Sequence, residues 1–224
     1  MKEQRVIELS RRRFLKQAAV VVVALPALPL GFAALSSSES TKHTAAATAT
    51  AAAPAQDWAG AAAAPLNISW KTKLAAASEP GTPLRVSGTI FQPDGQTPAR
   101  GLTLYVYHTD VKGYYTNEAS PGPQQKPRLR GWMRTGDDGR YEFRTIRPGS
   151  YPGTTAPQHI HPTLSGAGYT EYWIDSYLFD DDPHLTAGHR AKLSGRGGFQ
   201  PVLTLKRDEQ GVLRGVRDIR LEHI

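Results

Sequence analysis

Gly136-Asp137-Asp138-Gly139-Arg140-Tyr141-Glu142-Phe143-Arg144-Thr145-Ile146-Arg147-Pro148-Gly149-Ser150-Tyr151-Pro152 is the stretch whose reading decides the fold. A turn signal, a short run of aromatic and β-branched residues, and a second turn signal follow one another without a gap. The same texture recurs on both sides. Leu84–Phe91 precedes Pro93-Asp94-Gly95, and further runs fall at Leu102–His108, His159–Leu164, Tyr172–Phe179, Val202–Leu205 and Val212–Leu221. The last two are joined through Asp208-Glu209-Gln210-Gly211. Strands at this spacing, bounded by Gly, Pro and Asp turns, predict an all-β domain over residues 66–224, an antiparallel β-sandwich. The Asp-Gly pairs at 94–95 and 138–139 predict hairpin connections.

Ahead of Leu66 the composition changes. Residues 36–65 are almost entirely Ser, Thr, Ala and Pro. They hold too little bulky apolar surface to offset the entropy of ordering, and predict a disordered linker. Residues 1–35 combine Ser10-Arg11-Arg12-Arg13-Phe14-Leu15-Lys16 with an apolar run from Ala18 to Leu35. A basic segment before an apolar core predicts an export signal, and the paired arginines before Phe-Leu-Lys match the twin-arginine pattern. Pro26 and Pro29 interrupt the run and argue against a straight spanning helix, so a mature domain that does not span a membrane is expected. The twin-arginine export machinery carries folded proteins, a route suited to a domain loaded with a metal before export. The expected location is periplasmic, envelope-associated or extracellular.

The charge and cysteine content exclude several classes. The chain has no cysteine, which removes disulfides, Cys-based zinc sites, iron–sulfur clusters and a thiol nucleophile. Its formal charge is +7. In residues 1–35, Lys2, Arg5, Arg11, Arg12, Arg13 and Lys16 against Glu3 and Glu8 leave +4 in the signal segment alone. The remaining basic residues are interspersed with Asp and Glu, with no contiguous Lys/Arg stripe interleaved with aromatics, and no nucleic-acid partner is expected.

The chemistry centres on Pro157-Gln158-His159-Ile160-His161-Pro162. Residues two apart on a strand share a face, so His159 and His161 project together and present two imidazoles as half of a metal site. Two further stretches flank it: Gly139-Arg140-Tyr141-Glu142-Phe143-Arg144-Thr145-Ile146-Arg147-Pro148-Gly149-Ser150-Tyr151-Pro152, and the run from Tyr105 to Gly113-Tyr114-Tyr115. With these three motifs in order, residues 83–222 resemble the intradiol ring-cleaving dioxygenases. The resemblance implies a non-haem Fe(III) site with Tyr115, Tyr151, His159 and His161 as ligands; Tyr114 is the alternative for the first. It implies cleavage of a catechol-like aromatic between its two hydroxyl-bearing carbons, using O2, with Tyr151 taking up a substrate proton. The ligand types suit that metal independently: phenolate oxygens are hard anionic donors for a trivalent ion, whereas two tyrosines are unusual on zinc.

One departure stands out. Three residues before the first histidine, where the family usually has an arginine that stabilises the activated substrate, the chain has Ala156. Losing such a preorganised charge costs on the order of 3 kcal/mol of transition-state stabilisation. Gln158 is the hydrogen-bond donor that remains nearby, and a catalytic role is expected of it if it faces the site. Arg134, Arg144 and Arg147 are candidate substitutes, the last two expected in framework ion pairs. Ala156 also favours an alternative, a non-catalytic metal-binding or ligand-binding β-sandwich module of the cell envelope. His108 is expected to be structural, and His184 and His189 solvated. Asp180-Asp181-Asp182 is a weak cation candidate. Lys126, Arg128 and Arg130, in the loop 116–130, are candidates for attracting an anionic aromatic.

Overall fold

The computed structural model describes Gly60, residues 63–115 and residues 127–223. The expected signal segment, most of the expected linker, and Lys126 lie outside these residues.

Twelve strands follow in chain order: β1 (Lys71–Lys73), β2 (Pro83–Phe91), β3 (Thr103–His108), β4 (Leu129–Arg134), β5 (Arg140–Ile146), β6 (His161–Gly166), β7 (Tyr169–Trp173), β8 (Leu178–Phe179), β9 (Val202–Leu203), β10 (Lys206–Arg207), β11 (Leu213–Val216) and β12 (Ile219–Arg220). The one helix among the described residues, α1 (Ala187–Arg190), is a single turn capped by the Thr186 side chain. The first sheet runs β1-β5-β2-β11-β10, with β12 also on β2; the second runs β4-β3-β6-β7. β8 and β9 form a separate pair.

Alternation builds the core. In β2, Leu84 and Val86 point inward and are fully buried, while Arg85 and Ser87 face out. Phe143 lies opposite Val86 on β5 and is also fully buried. Leu104 and Val106 on β3, with Leu164 on β6, close the core from the second sheet. β3 is buried on both faces, because Tyr105 and Tyr107 on its other side are covered as well. Part of that cover is Gly60, whose carbonyl accepts from the Trp132 indole at 2.7 Å and whose amide donates to Glu171 at 2.8 Å. Gly60 falls in the stretch read as linker, so its contacts with the second sheet begin before residue 66.

The all-β sandwich is as the sequence predicts, with two differences in connection. β1–β5, β2–β11, β2–β12 and β8–β9 pair in parallel among the antiparallel pairs. The Asp138-Gly139 turn, closed by Gly139 N–H to the Gly136 carbonyl at 3.1 Å, does not join a hairpin. It carries the chain from β4 in one sheet to β5 in the other, because the apolar side chains on both flanks face the same inter-sheet core. Among the described residues no helix is long and apolar enough to cross a membrane.

Candidate metal centre

Two loops and one strand start bring four side chains to a point. Tyr115 follows β3, Tyr151 follows β5, and His159 and His161 stand at the entry to β6. The loops carrying the tyrosines cross with their backbones in contact. The Asp110 carbonyl accepts from the amides of both Gly113, at 3.1 Å, and Gly149, at 2.8 Å. The Asp110 carboxylate accepts from the amides of Lys112 and Tyr114 at 2.9 and 3.0 Å, which folds 110–114 into a tight turn. Thr109 donates its hydroxyl to the Gly149 carbonyl at 2.8 Å. Gly113 has φ +88°, and a Cβ there would fall on the Ser150 carbonyl oxygen; one on Gly149 would collide with the Val111 carbonyl. Only glycines let the loops pass this closely.

His108 anchors the root of the first loop. It is buried, donates from Nδ1 to the Thr109 carbonyl at 2.6 Å and accepts the Thr145 hydroxyl on Nε2 at 2.6 Å, which ties the end of β3 to β5. Burial pushes its pKa down to about 4, so the ring is neutral, as a structural histidine should be.

At the centre, the Tyr115 hydroxyl oxygen touches that of Tyr151 and lies 3.0 Å from His161 Nε2. The Tyr151 oxygen lies 3.0 Å from His159 Nε2 and 3.2 Å from His161 Nε2, and the two Nε2 atoms are 2.9 Å apart. The hydroxyl in this cluster belongs to Tyr115 rather than Tyr114. His159 Nδ1 meets the Pro157 carbonyl at 2.6 Å and must donate there, which leaves Nε2 with a bare lone pair facing the cluster. His161 stacks on Tyr107 with ring centres 4.7 Å apart and meets the edge of Trp173 at 6.0 Å.

The electrostatics follow from burial. It pushes His161 down to about 3, with the neighbouring His159 adding to the effect, and it pushes His159 down as well. Both imidazoles are therefore neutral near pH 7. Burial raises both phenols. The hydrogen bond between them raises Tyr115 further and pulls Tyr151 the other way. Two neutral imidazole nitrogens and two phenol oxygens within about 3 Å of each other are a donor set short of positive charge. A hard trivalent cation fits it: it would satisfy all four atoms and supply the field needed to ionise buried phenols.

The remaining candidates sit elsewhere. Gln158 does not reach the cluster; Arg147 Nε donates to its side-chain carbonyl at 2.7 Å, while the two terminal nitrogens of Arg147 grip Asp181 at 2.7 Å each. Its position between His159 and Pro157 turns it to the side of the strand opposite the histidines, so the expected catalytic role is not supported by its placement. Arg144 pairs with Glu142, and Arg134 is exposed. Arg128 pairs with Glu79 and Arg130 donates to the Pro127 carbonyl at 2.6 Å, so both are engaged in the local framework. Arg128, Arg130, Arg144 and Arg147 thus hold partners other than the four-residue cluster. The three aspartates diverge: Asp180 accepts from Thr204, Asp181 pairs with Arg147, and Asp182 turns inward. They do not form a cation site.

Asp182 is the residue the sequence reading missed. Only 6% exposed, it accepts the Gln158 amide at 2.6 Å and the His184 amide at 2.9 Å, and so clamps the backbone next to His159. Its signal was the Asp-Asp-Asp-Pro run, which does not say which carboxylate faces in.

A β-sandwich carrying a two-tyrosine, two-histidine cluster at one end defines the class of protein. The comparisons agree: the model of the dioxygenase family matches residues 60–194, and the chain belongs to that family, the intradiol dioxygenases. It is 41% identical over 105 residues to catechol 1,2-dioxygenase 1 of Acinetobacter lwoffii, covering 46% of this chain and 33% of the relative. It is 32% identical over 122 residues to hydroxyquinol 1,2-dioxygenase of Rhizobium sp. (strain MTP-10005), covering 47% of this chain and 40% of the relative. The chain thus spans less than half the length of either. Among solved structures, the dioxygenase domain of a dioxygenase carbohydrate-binding protein fusion from Streptomyces sp. SirexAA-E matches with TM-score 0.54 at 26% identity, over 71% of this chain and 92% of that one.

Two substitutions test the framework. Gly113→Ala forces the crossing loops apart and should cost at least about 2 kcal/mol in urea unfolding, from the positive φ and the backbone collision together. Asp182→Ala leaves two half-buried amides without their acceptor and should cost roughly 1–2 kcal/mol in urea unfolding, and Asp182→Asn, with one acceptor oxygen where the carboxylate uses two, should recover about half of that at most. An Asp182→Ala protein as stable as wild type would show that the clamp is unimportant.

Proposed function

We propose that the chain is an exported, iron(III)-dependent intradiol dioxygenase that opens a catechol-type ring between its two hydroxyl-bearing carbons, with Tyr115, Tyr151, His159 and His161 holding the metal. The observation that carries this reading is the convergence of those four donor atoms, with no carboxylate among them. Export by the twin-arginine route is supported by Arg11-Arg12-Arg13-Phe14-Leu15-Lys16 and the apolar run behind it.

Ferric iron in this site would hold both oxygens of a catechol and make its ring reactive toward O2. The protein supplies the rest. His159 and His161 stay neutral and oriented, the first by the Pro157 carbonyl and the second by Tyr107 and Trp173. Tyr115 lies under Tyr107, with ring centres 5.7 Å apart, and is held on both sides. Tyr151 is half-buried and immediately precedes the exposed 152–155 segment. Its oxygen is placed to accept a proton from an incoming catechol hydroxyl, which makes it the general base of the site.

Ala156 supports a second reading, a non-catalytic metal-binding module, because position 156 itself carries no charge. Oxygen uptake separates the two. Iron-loaded protein given catechol or hydroxyquinol should consume O2 and release a ring-opened diacid, and Tyr151→Phe should slow this by roughly 10²-fold or more. Ala156→Arg should raise turnover by about tenfold or more if the missing charge limits the rate. Iron-loaded wild type and Ala156→Arg that both bind catechol without consuming O2 would favour the binding module.

A further inference from the structure

The outer face of the first sheet carries a feature absent from the linear sequence. Strand register aligns Lys73 with Arg144, Arg144 with Arg85, Arg85 with Arg214, and Arg214 with Lys206. Five basic residues from five strands thus stand in single file. With strands about 4.8 Å apart, the file runs on the order of 20 Å. Lys73 and Lys206 are exposed, and the side chains of Arg85, Arg144 and Arg214 are 33%, 57% and 48% exposed.

The file is already a carboxylate receptor. Glu142 takes both Arg85 and Arg144, and Asp208 takes Arg214 at 2.6 Å. These two carboxylates leave Lys73, Lys206 and the adjacent Lys71 uncompensated, together with one of the guanidinium charges that share Glu142. Two grooves lie along the file and meet at Arg144: one of about 360 Å³ between Lys71, Lys73 and Glu142, and one of about 280 Å³ between Arg85, Arg214 and Asp208. Beside Lys71 stands Trp70, 36% exposed, with Lys71 Nζ 5.3 Å and the Arg140 guanidinium 5.4 Å from its ring. A half-exposed indole next to a cationic groove offers an apolar platform of the size of a sugar ring.

We infer that this face binds a linear acidic polysaccharide, its carboxylates on the basic file and one of its rings against Trp70. The charge left over on Lys71, Lys73 and Lys206, and on the two guanidinia that share the single Glu142 carboxylate, is what an added carboxylate would meet along the file. A single file one residue wide fits an extended chain, whereas a membrane surface would engage a plane of charge and single-stranded nucleic acid a series of aromatic platforms. The face lies on the sheet opposite the one that carries His161, so occupancy leaves the metal centre open.

The test is binding of the full chain to a polygalacturonate oligosaccharide at low ionic strength by calorimetry. Binding should weaken steeply with added salt, and Lys73→Glu combined with Lys206→Glu should weaken it by about tenfold or more. Trp70→Ala should weaken it several-fold, and the thermal midpoint should hold in both variants. If the charge reversal destabilises the chain, Lys73→Ala with Lys206→Ala takes its place, with a smaller loss expected. Absence of binding, binding indifferent to these substitutions, equal affinity for a neutral glucan, or tighter binding to phosphatidylglycerol vesicles or duplex DNA would each overturn the assignment.

Discussion

Where the segment after β3 passes the segment after β5, the two backbones touch with no side chain between them. Asp110 accepts amides from both segments, and Gly113 and Gly149 leave room for the carbonyls of Ser150 and Val111. Tyr115 is two residues beyond one side of this crossing and Tyr151 two residues beyond the other. The phenol oxygens can therefore meet although they come from opposite sheets. Everything chemical in the molecule depends on that approach. The histidine pair comes from local strand geometry, but the tyrosine pair is a tertiary achievement, and the hydrogen-bonded crossing is what makes it reproducible.

The cluster so formed is electrostatically incomplete. Its two imidazoles are neutral and one is locked by the Pro157 carbonyl into presenting a lone pair, while two phenols share too few protons to satisfy every acceptor. Burial raises the phenols and lowers the imidazoles, so all four groups are neutral unless a cation supplies the field that ionises the phenols. No carboxylate joins them. A donor set that is hard, partly anionic once ionised, and free of carboxylate and thiolate favours a trivalent ion over zinc. Around it the supports are ordinary: an aromatic pair on His161, a carboxylate clamp on the strand next to His159, and a buried histidine tying β3 to β5.

Much of this was legible from residue order. The His-Ile-His spacing, the Gly113-Tyr114-Tyr115 end of a strand and the Pro148-Gly149-Ser150-Tyr151 turn lie in contiguous segments, so their side chains could be named before their positions were known. Features that depend on register were not legible. β1 and β4 were missed, β1 because three residues are too short for a pattern and β4 because Gly131 and the charged ends of Leu129–Arg134 blur its alternation. Gln158 shows the limit of reading a neighbour as a participant: one residue from His159, it faces the other way and belongs to Arg147. The basic file is the clearest case, since residues 73, 85, 144, 206 and 214 become neighbours only through strand pairing.

Iron held by the four side chains is the central claim about this molecule. The most direct measurement is the visible absorption spectrum and metal content of the ferric-loaded protein, wild type beside Tyr115→Phe. The structure predicts bound iron with a phenolate-to-iron charge-transfer band in wild type, and a band weakened and shifted in the variant, since one of its two phenolates is gone. A wild-type protein that stays colourless after ferric loading, or a spectrum that the loss of Tyr115 leaves unchanged, would contradict it.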